Sequence, residues 1–71
     1  MQNPRGRLRV IGALVREQRV ARGYSLRQLA ARCPGVSAST LQRLEAGEPV
    51  TLDHALAIFA ALEVELSLTP A

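Results

Sequence analysis

Seventy-one residues make one domain, near the lower size at which a single core suffices, so oligomerisation is a plausible source of extra stability. Apolar residues supply 48% of the chain with one Phe, one Tyr and no Trp, which leaves Leu, Val, Ile and Ala to build a core of packed helices. A single cysteine, Cys33, excludes an intrachain disulfide, and no apolar run has the length of a membrane span or the look of a signal-peptide core, so a cytoplasmic protein is expected.

The formal net charge of +3 hides a division. All nine basic residues are arginines, and all fall within residues 1–43, where Glu17 is the sole acid. The remaining residues hold Glu45, Glu48, Asp53, Glu63 and Glu65 with no base. A genome that favours Arg over Lys explains the choice of cation but not its segregation. One end of the molecule is built to face a polyanion.

In chain order, residues 1–6 read as a flexible basic arm carrying Arg5, which Arg7 and Arg9 extend. A first helix is expected from Arg7 to Arg22, with Leu8, Ile11, Leu14 and Val15 at helical spacing and Gly23 free to take the left-handed conformation that ends it. Ser25 then caps a second helix, with Gln28 as capping-box partner and Tyr24 and Leu29 placed as a hydrophobic staple. Pro34 and Gly35 stop that helix after Cys33. Ser37 caps a third helix, which turns Leu41 and Leu44 inward and ends at Ala46-Gly47. Two short helices joined by a tight Gly-containing turn make a helix-turn-helix.

Beyond Pro49, Thr51 caps a fourth helix, with Asp53 in its first turn, where a negative charge is favoured. Leu52, Ala55, Leu56, Phe59 and Leu62 form its expected core stripe. Ala57, Ile58, Ala60 and Ala61 make the other faces nearly as apolar, the pattern of a helix covered on more than one side. The segment from Glu63 to Thr69 alternates strictly, a strand signal of period two. A lone strand leaves its backbone unpaired, so it is expected to pair with its own copy across a two-fold axis. The alternative continues the fourth helix through Glu65. The division is thus an arm (1–6), a helix-turn-helix domain (7–62) and a dimerising strand and tail (63–71), in an all-α fold of four short helices. Ile58, Leu62, Val64, Leu66 and Leu68 are the expected dimer contacts.

The stretch SLRQLAARCPGVSASTLQRLEAG resembles the helix-turn-helix of the lambda-repressor-like superfamily in its Cro/C1 branch. The resemblance is carried by Leu29-Ala30, Gly35-Val36-Ser37, Thr40-Leu41 and Leu44-Glu45 followed by Gly47. The closing helix with ALEVELSL is similar to HipB-type antitoxins, which repress their own operon and bind a toxin partner. The resemblance implies a double-stranded DNA-binding repressor that acts as a homodimer, with a HipA-like kinase toxin as a further partner. A stand-alone or phage-type repressor, or a protein-interaction module of the same fold, are the alternatives.

By position, the third helix becomes the recognition helix, with Ala38, Ser39, Gln42 and Arg43 facing bases. Arg43 is the strongest reader, since a guanidinium bonds guanine O6 and N7 together. Phosphates fall to Arg16, Ser25, Arg27, Ser37 and Thr40, around the N-termini of the second and third helices. Arg19 and Glu45 match positions at which the family commonly holds a structural ion pair. Three departures stand out. Leu26 replaces a Gln usual at the start of the second helix, Cys33-Pro34-Gly35 makes the turn one residue longer, and the recognition residues are rather small. His54 and Cys33 lack partners in any catalytic or metal-binding spacing, so neither an enzyme nor a cofactor nor a metal is expected.

Overall fold

The computed structural model describes residues 4–64, which form four helices: α1 (Pro4–Ala21), α2 (Leu26–Ala30), α3 (Ala38–Glu45) and α4 (Leu52–Ala61). Helix α3 lies at the centre, with α1 and α2 packed on it and α4 against both α2 and α3. The core is Val15, Leu29, Cys33, Val36, Leu41, Leu44, Ile58 and Leu62. Burying each large aliphatic side chain of this kind contributes about 1.5–3 kcal/mol.

Helix α1 starts three residues earlier than its apolar pattern indicates. Pro4 is its first residue, a position that needs no N–H and suits the fixed φ of proline. Arg5, Arg7 and Arg9 therefore stand on a helix instead of a flexible arm. The inward line of α1 also differs from the expected one. Gly12 and Val15 are buried, while Ile11 and Leu14 are exposed. The cause is contact with α3: a Cβ on Gly12 would be driven into the carbonyl oxygen of Leu44 and stand 3.0 Å from that of Glu45. The helices meet where α1 has no side chain.

Three helices end in the same way. Gly23, Gly47 and Glu63 each adopt positive φ (72°, 81° and 58°) just beyond a helix. After α1, Gly23 N–H donates to Val20 O (2.9 Å) and Tyr24 N–H to Arg19 O (3.1 Å). After α3 the pair is Gly47 to Leu44 (3.0 Å) and Glu48 to Arg43 (2.9 Å). After α4 it is Glu63 to Ala60 (3.0 Å) and Val64 to Phe59 (2.9 Å). These bonds satisfy carbonyls that a helix end leaves free.

Two corrections follow at the C-terminal end. Glu63 and Val64 are a helix cap and not the opening of a strand, and they also end α4 before Glu65. The rest of the expected strand, with Leu66 and Leu68, lies outside the described residues, among which no strand occurs. The phase of α4 is also rotated. Ile58 and Leu62 are fully buried in the chain's own core, so they are not available as dimer contacts. Leu52 and Leu56, placed in the core by their spacing, are exposed. In a helix apolar nearly all round, periodicity carries little information on which face turns inward.

Candidate nucleic-acid interface

The candidate interface is the outer surface of α2 and α3 with the basic residues around it. Helix α2 is only five residues long, and its capping box holds its start. Ser25 Oγ accepts from Gln28 N–H (3.0 Å), and Gln28 Oε1 accepts from Ser25 N–H (2.8 Å). The Ser25 backbone N–H and hydroxyl oxygen are thus engaged in the fold, while the hydroxyl keeps its proton for an outside acceptor. Leu26 is half-buried and packs on the core, where a Gln would have offered an amide. The turn is built from Arg32 N–H to Leu29 O (2.9 Å), Cys33 N–H to Ala30 O (3.0 Å) and Val36 N–H to Cys33 O (3.0 Å). Gly35, at φ +75°, takes a conformation that a side chain would strain.

At the start of α3, Ser37 Oγ accepts from Thr40 N–H and donates to Thr40 Oγ1, both at 3.1 Å. The Thr40 hydroxyl keeps its own proton for an outside acceptor. Leu41 and Leu44 are buried on one side of α3. On the other, Ser39, Gln42 and Arg43 are exposed and share a face by their spacing, while Ala38 is half-buried. Arg43 leans toward the loop after α3, its Nη2 reaching the Pro49 carbonyl at 3.4 Å. That contact is long and exposed, and a base edge or phosphate would displace it.

An ion pair fixes α3 against α1. Arg19 Nε and Nη2 donate to the two carboxylate oxygens of Glu45 at 2.7 and 3.0 Å, and Nη1 donates to Tyr24 O at 2.8 Å. The side chains are 13% and 8% exposed. The Glu45 hydrogen bond raises the Arg19 pKa; desolvation opposes it and the Glu45 charge adds to it. Arg19 is fully committed to architecture.

Two further arginines are committed in ways the sequence pattern did not indicate. Arg22 donates to Gln18 Oε1 and to the Leu62 carbonyl, both at 2.6 Å, which places a cation on the C-terminal end of α4. The Arg32 guanidinium lies 4.7 Å from the centre of the Tyr24 ring, a cation–π contact. Arg9 is held in part: its stem lies over Gly47 at the end of α3. Arg5, Arg7, Arg16 and Arg27 are exposed.

A helix-turn-helix family model matches residues 15–68. The chain belongs to the Cro/C1-type helix-turn-helix family. The match takes in α2, the turn, α3 and α4, and the family is one of DNA-binding regulators, generally not enzymes. No curated protein matches the chain. No described helix is long and apolar enough to cross a membrane.

Proposed function

We propose that the protein is a transcriptional repressor that binds double-stranded DNA as a homodimer in the cytoplasm, with α3 in the major groove. The observation that carries this reading is the division of labour on α3. Its inner side is locked by Leu41, Leu44 and the Arg19–Glu45 pair, while Ser39, Gln42 and Arg43 are exposed together. A side chain reads base edges only if its backbone is held in register. Arg43 pairs with guanine, Gln42 and Ser39 contact neighbouring bases, and Ala38 offers a methyl contact. Arg16, Arg27 and Thr40, with the backbone N–H groups that follow Ser25 and Ser37, hold phosphates.

The test is selection from a random duplex library, followed by titration of the enriched sequence at several salt concentrations. A two-fold symmetric site, half-sites about one helical turn apart and a steep salt slope are the expected result. Arg43→Ala should relax preference at one position in each half-site, by about 1–3 kcal/mol. Salt-insensitive binding, or none at low salt, overturns the reading in favour of a protein-interaction module. The narrower reading, an antitoxin with a HipA-like kinase partner, is supported only by resemblance in the closing segment. Selective capture of such a kinase, encoded beside this gene, is its test; a stand-alone regulator captures none.

A further inference from the structure

Helices α1 and α4 do not close on one another. Between them runs an open apolar groove of about 240 Å³, walled by Ile11, Leu14 and Val15 on one side and Phe59, Leu62 and Val64 on the other. Among the described residues, Gln18 is its one polar lining residue. The apolar surface runs on past both rims. Val10 lies one turn from Leu14 on α1, and Leu56 one turn from Phe59 on α4. Val10, Leu14 and Leu56 are 45%, 53% and 44% exposed. A contiguous apolar surface of this kind marks a place of association.

We propose that a second copy of the chain docks on this surface, with the two α1 helices antiparallel across a two-fold axis and the apolar side of each covering the other's groove. This names the contact surface of the homodimer; it rests on the homodimer reading and not on any base contact of α3. Three observations point to a second copy. First, the surface is self-complementary in charge. Arg7 and Glu17 stand near opposite ends of the apolar line of α1, both exposed and with no ion-pair partner among the described residues. The level of Gly12 is midway between them. Antiparallel α1 helices that cross at that level bring Arg7 of each copy level with Glu17 of the other, and Leu14 level with Val10. Glu17 is also the sole acid in residues 1–43, and a surface made only to meet a polyanion has no use for it. Second, the other cations of α1 are turned away. Helical spacing puts Arg5, Arg9 and Arg16 on the side opposite Leu14, and the Arg9 stem lies over Gly47 at the end of α3. Two copies joined through Val10, Ile11 and Leu14 therefore keep those charges apart and leave them free for a polyanion.

Third, the size suits a reversible dimer. From Arg7 to Gln18, α1 is about 17 Å long, and with α4 beside it the face is about 20 Å wide. Covering it buries on the order of 1,000 Å² across the two copies, the low end for specific association. A weak dimer that exchanges with monomer is the expected state without DNA.

Sedimentation equilibrium of the full-length protein without DNA tests it. The wild type should show a concentration-dependent monomer–dimer equilibrium, and Leu14→Asp should weaken it by about tenfold or more, since the carboxylate would be buried without a partner. Leu14 lies outside the core, so the far-UV circular dichroism of that variant should match wild type. Arg7→Glu and Glu17→Arg should each weaken the dimer by about three- to tenfold, and the two together should restore it. The first lowers the net charge and the second raises it, so a loss in both is not an effect of net charge. A dimer that Leu14→Asp leaves intact overturns the proposal, while the homodimer reading stands on another surface. Failure of the double variant to restore association overturns it as well. A wild-type monomer at every concentration overturns both, and leaves the groove to another segment of the chain or to a different protein; selection from the duplex library still decides DNA binding separately.

Discussion

Replacing Gly12 with alanine puts the contact between α1 and α3 to a direct test, because two effects of known size oppose each other. Within a helix, alanine is favoured over glycine by about 1 kcal/mol. Here the added methyl meets the carbonyl oxygens of Leu44 and Glu45, backbone atoms that cannot swing aside. Helix α1 must retreat by about an ångström to reach ordinary carbon–oxygen contact. Overpacking of this kind costs about 1–3 kcal/mol. The retreat also strains the Arg19 hydrogen bonds to Glu45, now 2.7 and 3.0 Å, and ionic hydrogen bonds contribute roughly 1.5–3 kcal/mol. With half of that lost, the net expectation is a destabilisation of about 2 kcal/mol. In a domain of this size, that lowers Tm by roughly 8–16 °C. Thermal unfolding followed by far-UV circular dichroism reads it. Ala13→Gly, at the exposed neighbouring position, calibrates propensity alone and should cost about 1 kcal/mol. Gly12→Ala with a Tm equal to or above wild type would refute the close approach of the helices.

The remaining predictions address the other fixed points of the fold. Glu63→Gly should stabilise by about 1 kcal/mol, because a left-handed residue without a Cβ escapes a steric cost of that order; a loss of stability in denaturant titration would instead favour an extended chain at this position. Arg19→Ala and Glu45→Ala should each cost roughly 2–3 kcal/mol, above the 0–1 kcal/mol of a surface pair; a double-mutant cycle showing no coupling would sink that reading. Burial pushes the Cys33 thiol above its ordinary 9.0, and its S–H donates to Leu29 O at 3.2 Å. This contribution to stability is complete below the unfolded-state value and is lost as pH rises through the folded one. Wild type should therefore lose more stability above about pH 9 than Cys33→Ala does; equal pH profiles would contradict it.

What was legible in the sequence was local. The starts of α2, α3 and α4 could be read from Ser25 with Gln28, from Ser37 and from Thr51, because a cap bonds within three residues of itself. The ends at Gly23 and Gly47 were visible for the same reason. Helix phase was legible only where apolar and polar residues alternate cleanly. In α1 the line against α3 includes Gly12, which has no side chain, and Arg19, which is charged, so counting apolar residues favoured Ile11 and Leu14 instead. In α4, alanines on every side erased the signal, and Ile58 was assigned to the wrong face. The exposed side of α3 followed from its buried one, since Leu41 and Leu44 fix it. The commitments of Arg22 to Leu62 and of Arg32 to Tyr24 had no local signature. The first spans 40 residues of chain, and the second depends on how the turn after α2 folds back.

The arginines show why charge segregation alone overstates a DNA-facing surface. Arg19, Arg22 and Arg32 hold the fold together through a carboxylate, a helix end and an aromatic ring. Their positive charge counts toward the composition, but the donors of Arg19 and several of those of Arg22 are taken, and Arg32 gives its face to the Tyr24 ring. Removing them should change stability first and DNA affinity as a consequence. The exposed side of α3 is the reverse case. Ser39, Gln42 and Arg43 bury nothing in the core, and among the described residues the Arg43 side chain makes only the long contact to Pro49. Substitutions there should alter stability by about 0.5 kcal/mol or less, as at ordinary surface positions. Helix α3 is held from behind at Leu41, Leu44, Glu45 and the backbone facing Gly12. Its outer side chains are therefore free to differ in sequence preference while the frame that presents them stays the same.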